Sequence, residues 1–210
     1  MRIFQSALAL VFLASGLAQA APETYKLDGA KSELVVQLFK EGIGASLAHD
    51  HVVRSSKTTG TVVFDPEHAE NSSIEVTVDC SGLKLDEEKY RKKYGVTSSP
   101  SESDRKTIAE TMRSAEQLDT AKYPTMSFKS ISIKPKGKGK YAVTGNLTIH
   151  GKTNKVSFIA KGGVEDGVFS ASGTIDFKQS SFGYQPYSAL FGAIKVKDDA
   201  ILNVHIVATK

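Results

Sequence analysis

Ala48-His49-Asp50-His51 is the densest group of side chains in this chain that could do chemistry. On an extended backbone His49 and His51 project to the same side, so their two imidazoles could share one metal ion. A stable metal site needs a third or fourth ligand. The other histidines, His68, His150 and His205, fall in a loop, a turn and a terminal strand, and only the fold could bring one of them close. The plainer alternative is one imidazole bonded to backbone at a strand entrance and the other facing solvent or a barrel mouth. Because imidazole titrates near neutrality, such a mouth would respond to pH. No other catalytic pattern is present: the chain has no Gly-x-Ser-x-Gly elbow and no phosphate loop. Gly42-Ile43-Gly44 lacks the further glycine and the βαβ setting of a dinucleotide site. The acid pairs Asp198-Asp199 and Glu87-Glu88 sit in charged, turn-like contexts and read as solvated. With no nucleophile–base pair to name, the chain reads as a non-enzyme with no catalytic residues.

Residues 1–20 read as a leader. Arg2 supplies a positive start, Ala7 to Ala14 an apolar core, and Ala18-Gln19-Ala20 the small-x-small pattern that places cleavage after Ala20. The apolar run is shorter than the roughly 20 residues a bilayer span needs, and no later segment approaches that length. A soluble, exported protein is expected, with one domain over residues 21–210. Without Arg2 the formal charge falls from +4 to +3. That is too mild to attract nucleic acid, and no arginine–aromatic stripe appears. Cys80 is the single cysteine, so no intramolecular disulfide can form. Its phase with Ile74, Val76 and Val78 makes it a buried apolar thiol.

Most of the remaining chain alternates with a period of two and is punctuated by Gly, Asp and Asn, the pattern of half-buried strands. Leu34, Val36 and Leu38 share one face, as do Ile74, Val76 and Val78. Four strands then form a meander through Lys136-Gly137-Lys138-Gly139, Gly151-Lys152 and Asp166-Gly167, the last a type I′ hairpin signal. In the first of these strands Met126 and Phe128 are out of phase with Ile131 and Ile133. Burying both sets requires a β-bulge near Lys129-Ser130. Residues 84–122 differ in kind, being highly charged and interrupted by Ser98-Ser99-Pro100-Ser101. Ser101 is placed to cap a helix with Asp104 in its first turn and an apolar stripe of Ile108, Met112, Ala115 and Leu118. A shorter helix is expected over Glu87–Tyr94. This insert either covers one end of the fold or forms a mobile lid, with a basic edge at Arg91, Lys92 and Lys93 that meets a membrane or partner.

In order along the chain, Tyr25-Lys26-Leu27-Asp28, Gly60 to Pro66, Met112 to Asp119 beside Tyr123-Pro124, Val143 to Gly151, and Asp176-Phe177 with Ser181-Phe182-Gly183 resemble the YceI-like family over residues 22–210. The resemblance implies an all-β fold with a helical insert: an eight-stranded, lipocalin-like antiparallel barrel with one α-helix and a short second helix between strands. It also implies a long apolar tunnel for a polyisoprenoid or similar amphiphilic lipid, and a periplasmic or secreted location. Two features depart from the family pattern: the long charged insert around residues 87–103 and the segment Tyr184 to Gly192.

The function expected is carriage or sequestration of a lipid. Candidate tunnel-lining residues are Leu34, Val36, Ile74, Val76, Val78, Phe128, Val143, Leu147, Phe158, Phe169, Phe177 and Phe182. Periodicity alone does not distinguish a tunnel from a barrel filled by its own side chains. No cofactor is expected; an isoprenoid or acyl lipid would be a ligand, and membrane contact would be transient. The alternatives are a stress-related binding module that takes no lipid, or a metal or redox accessory built on His49 and His51.

Overall fold

The alternating segments pair into one antiparallel sheet that closes on itself. The computed structural model describes residues 21–97 and 99–210, so the leader expected over residues 1–20 and Ser98 of the breaker cluster lie outside the described residues. The strands are β1 (Glu23–Leu27), β2 (Glu33–Glu41), β3 (His51–Ser55), β4 (Thr58–Phe64), β5 (Ser73–Asp79) and β6 (Leu83–Leu85). After the helices α1 (Glu88–Lys93) and α2 (Glu102–Arg113) come β7 (Thr125–Gly137), β8 (Lys140–Ile149), β9 (Lys152–Glu165) and β10 (Val168–Lys178). The two-residue β11 (Ser188–Ala189) and the long β12 (Ile194–Thr209) complete the chain.

Eight of these strands form a closed ring in the order β1, β4, β5, β7, β8, β9, β10, β12, and β12 returns to β1 through Lys26 opposite Thr209. The expected eight-stranded antiparallel barrel is therefore the fold. β12 outruns the ring, and from Lys195 to His205 it pairs instead with β2, which carries β3 and then β6 beside it. One end of the barrel thus contains β1 and β4, and at the other β2, β3 and β6 take their place. β6 continues the line of β5 and pairs with β3 and no other described strand, so the ring of backbone pairs is left open at this second, wide end and closed at the first, narrow one.

Turn chemistry sets the register of the meander. Lys138-Gly139, His150-Gly151 and Asp166-Gly167 each have positive φ at both residues, the geometry that type I′ hairpins require. The second turn is centred one residue earlier than the sequence suggested. The β7 bulge is present, with the register against β8 shifting between Ser130 and Ser132. It restores Ile133 to the interior but leaves Ile131 on the outside, exposed. Only one of the two isoleucines is buried because the extra residue is itself the one turned out. The outer wall is polar: Thr144 and Ser157 share a 2.8 Å hydrogen bond, as do Thr148 and Thr153, and Lys129 pairs with Glu75 at 2.5 Å. A wall of this kind faces water and not lipid. No described helix is long and apolar enough to cross a membrane.

The narrow end is filled. Tyr25, Leu27, Val62, Phe64, Ile133, Val143, Phe169 and Ala208 are buried in one cluster, whose members Ile74, Val76 and Ile206 also border a cavity above it. Its aromatic rings meet in series, Tyr25 with Phe169 at 6.0 Å, Phe169 with Phe64 at 5.2 Å and Phe64 with Tyr141 at 5.9 Å, spacings at which ring pairs attract. Cys80 is buried and unpaired, as its phase required, and burial pushes its thiol up from the ordinary value.

The insert resolves into two helices with different tasks. Ser101 caps α2 by accepting a hydrogen bond from the Asp104 N–H at 3.1 Å. The helix stops at Arg113, before Ala115 and Leu118, and a turn through Ser114 and Asp119 brings Leu118 back to the same cluster as Met112. α1 lies on the outside of the barrel, where Tyr90 covers Val35 and Val52. The basic edge assigned to it is not a free cationic surface. Arg91 is buried against Asp86, Lys92 pairs with Glu88 and Lys93 pairs with Glu33. The acids treated as solvated are also partly engaged, Glu87 with Arg54 at 2.5 and 3.0 Å and Asp198 with Ser180 at 2.7 Å.

Candidate functional site

The wide end of the barrel is hollow. A cavity of about 390 Å³ runs between the sheet and α2, within the range of small-molecule sites. Its wall is formed by the inward faces of β2, β3, β5, β7, β8, β9, β10 and β12, and Thr107, Ile108, Thr111 and Met112 of α2 complete it. α2 thus serves as a cover, which was one of the two roles expected for the insert.

Nine of the twelve residues named from the sequence meet in this cavity: Leu34, Val36, Ile74, Val76, Val78, Phe128, Leu147, Phe158 and Phe177. Three do not. Val143 and Phe169 belong to the packed cluster of the narrow end, and Phe182 is buried beneath the wall with Leu147, Ile149 and Tyr184. Val143 and Phe169 point inward as expected, but their positions along β8 and β10 put them at the filled level. Phe182 lies in a 3-10 turn after β10, where strand phase no longer applies.

Two glycines missed in the sequence help to keep the space open. A Cβ on Gly145 would lie 2.4 Å from the ring of Phe128, and one on Gly173 would lie 2.9 Å from the ring of Phe158. Each ring therefore lies back against bare backbone of a neighbouring strand, and the two rings meet edge-on at 5.9 Å. The inward phase of Gly145, between Val143 and Leu147 on β8, was the available signal.

His49 and His51 both reach the cavity wall, their ring centroids 6.4 Å apart. Among the described residues no group of three His, Cys, Asp or Glu side chains is placed to hold a metal ion. His51 Nδ1 instead contacts Asp86 Oδ2 at 2.7 Å, and Asp86 Oδ1 accepts the Val52 N–H at 2.9 Å. Asp86 is fully buried, and its backbone is held at φ 52°. Burial opposes ionisation of this carboxyl, but the bonds from His51 and Val52 and the charge of Arg91 outweigh it and hold the group below the usual carboxylate range. Arg91 Nη1 stands 3.2 Å from Asp86 Oδ1 as an ion pair without hydrogen-bond geometry. His205 and His150 lie elsewhere: His205 Nδ1 contacts Ser172 Oγ at 2.8 Å, and the His150 ring is edge-on to Tyr123 and Tyr184.

The rim is apolar and exposed. The turns 42–48 and 190–193 touch through the Gly44 N–H, which donates to the Ala193 carbonyl at 2.8 Å. Together they carry Ile43, Leu47, Leu190 and Phe191, with Ile43 97% exposed and Phe191 wholly so. Leu190 and Phe191 both have positive φ, a conformation that costs a large side chain energy. Leu47, Ala48, Tyr187 and Ile194 continue from this rim into the cavity wall.

Known proteins are similar to this chain in sequence or in fold. A UPF0312 protein of Vibrio cholerae is 30% identical over 145 residues, 65% of this chain and 66% of that protein, so the match spans just under two thirds of its length. The YceI protein of Salmonella arizonae is 29% identical over 180 residues, 81% of each chain. The crystal structure of Burkholderia cenocepacia BcnA superposes with a TM-score of 0.67 at 24% identity, over 87% of this chain and 99% of that one. A Campylobacter jejuni YceI protein gives a TM-score of 0.55 at 20% identity, over 75% and 84%. At those identities the two structures bear on the fold alone. The YceI-like domain model matches residues 25–208, and the chain belongs to the YceI-like family.

Proposed function

We propose that this protein is an exported, periplasmic or secreted carrier that holds one long-chain lipid, polyisoprenoid or acyl, in the hollow end of its barrel. The observation that carries the reading is the largely apolar cavity under α2. The chain is on this account a binding protein and not an enzyme. Burial of a chain here removes about 0.8 kcal/mol per methylene from contact with water. The competing host is the membrane interior, which is equally apolar. The net preference is then small, which suits pick-up and delivery better than storage.

Transient membrane contact belongs to the same reading, and the exposed rim favours it over the helical insert. Leu47 lines the cavity, and Ile43, Leu190 and Phe191 stand exposed on the same two touching turns, whereas the basic residues of α1 are tied up in ion pairs. The reading is tested by transfer of a fluorescent prenyl lipid between two vesicle populations. The protein should accelerate transfer and load to one lipid per chain, and Phe191→Ser with Ile43→Ser should slow transfer several-fold without lowering final loading. Transfer no faster than in buffer would overturn the carrier reading. Full-speed transfer by the double variant would overturn the role of the rim.

A further inference from the structure

Behind His51, one of the residues that line the cavity, lies a cluster of buried polar groups. Asp86 is a fully buried carboxylate on a residue with left-handed backbone. The terminal nitrogens of Arg91 are buried without hydrogen bonds, and so is Nδ1 of His49. Each feature is unfavourable for folding, and apolar residues of similar size would serve stability at least as well. Local costs of this kind gather at functional sites. What they achieve here is the fixing of one imidazole. Asp86 is held ionised by Arg91 and Val52 and can only accept, so the proton of His51 sits on Nδ1. Nε2, the nitrogen not engaged by Asp86, is left as the ring atom of His51 that can meet a ligand at the cavity wall.

We infer that the hollow end selects lipids with a protic head group, a hydroxyl or a carboxylic acid taken up in its neutral form, whose O–H donates to His51 Nε2. Asp86 and Arg91 are positioning residues that set the tautomer and angle of His51 and do not touch the ligand. A lipid whose head can only accept leaves Nε2 unpaired in an apolar enclosure, and a hydrocarbon does the same. This inference rests on the carrier reading and adds the chemistry of the head group to it.

The test offers the intact protein an equimolar mixture of geranylgeraniol, geranylgeranoic acid, geranylgeranyl methyl ether and the corresponding hydrocarbon, presented in vesicles. Bound lipid is extracted and quantified by mass spectrometry. The alcohol or the acid should be retained about tenfold over the ether and the hydrocarbon, the scale expected for one buried hydrogen bond made or left unmade. The ratio of alcohol to acid shows which protic head is preferred. His51→Phe should bind the chains and lose the discrimination. Equal retention of all four lipids by the unaltered protein would overturn the inference and leave the carrier reading standing. Discrimination that survives in His51→Phe would overturn the assignment to His51. Retention of none would overturn both readings.

Discussion

The narrow and wide ends of this barrel share most of their strands and the same alternation, and one is solid while the other is hollow. At the narrow end β1 and β4 close the ring, and Tyr25, Phe64 and Phe169 stack across it. At the wide end β2, β3 and β6 continue the lines of β1, β4 and β5, and β6 has no further partner strand among the described residues. The inward positions there hold Leu34, Val36, Val76 and Val78, and the two large rings are drawn aside over Gly145 and Gly173. Whether this barrel interior is core or cavity is therefore decided by closure of the ring and by side-chain size at inward positions, level by level, and not by hydrophobic periodicity.

The difference predicts opposite responses to substitution. The largest effect on function should come from a charge at the hollow level. Leu147→Asp or Phe158→Asp should abolish lipid loading in a transfer assay, because an unpaired carboxylate cannot stay desolvated against an apolar chain. His49→Ala should leave loading intact. The largest effect on folding should come from the solid end, where Phe64→Ala should cost about 3–5 kcal/mol in urea unfolding. Lipid loaded per folded molecule should not change. Val36→Ala at the hollow level should cost clearly less than Phe64→Ala. It removes fewer atoms, and wall atoms facing a void already lack partners on one side.

Much of the fold was legible because the signals were local. Alternation gave the strands, Asp166-Gly167 and its counterparts gave the hairpins, the phase switch before Ile131 gave the bulge, and Ser101 gave the helix start. The site was half legible. Nine wall residues could be named because strand phase shows which side faces inward. Phase says nothing about height along the barrel, so Val143 and Phe169 were grouped with the wall. The His51–Asp86–Arg91 arrangement joins residues 35 and 5 positions apart through a kink at Asp86, and no periodicity predicts a single buried left-handed carboxylate. The exposed rim was hidden for the opposite reason. Ile43, Leu190 and Phe191 are apolar residues that a pattern reading sends to the core, and the fold turns them out.

Two smaller effects sharpen the contrast. Gly145→Ala should push the Phe128 ring into the cavity, since the added Cβ would lie 2.4 Å from it. Bound lipid should shift toward thinner chains in an extraction profile, while the solid end keeps its protection from hydrogen exchange. The smallest effect concerns acid stability. Asp86 ionises below its ordinary range in the folded protein, so the unfolded chain, with a carboxyl value of about 3.9, binds the proton first as pH falls. The stability it contributes is fully present above that value and is lost as pH drops through the lower folded value. Urea midpoints measured from pH 6 to pH 3 should show a shallower acid limb for Asp86→Asn than for the unaltered protein. An unchanged limb would mean that other carboxylates set it.

The central claim is that the hollow end holds a lipid. Native mass spectrometry of the protein isolated from the export compartment without detergent, followed by solvent extraction, tests it most directly. The account predicts a single added mass that extracts as one prenyl or acyl lipid with a hydroxyl or carboxyl end. A bare polypeptide mass from folded protein would contradict it and favour a binding module that takes no lipid. A small mass removed by chelator would turn attention back to His49 and His51.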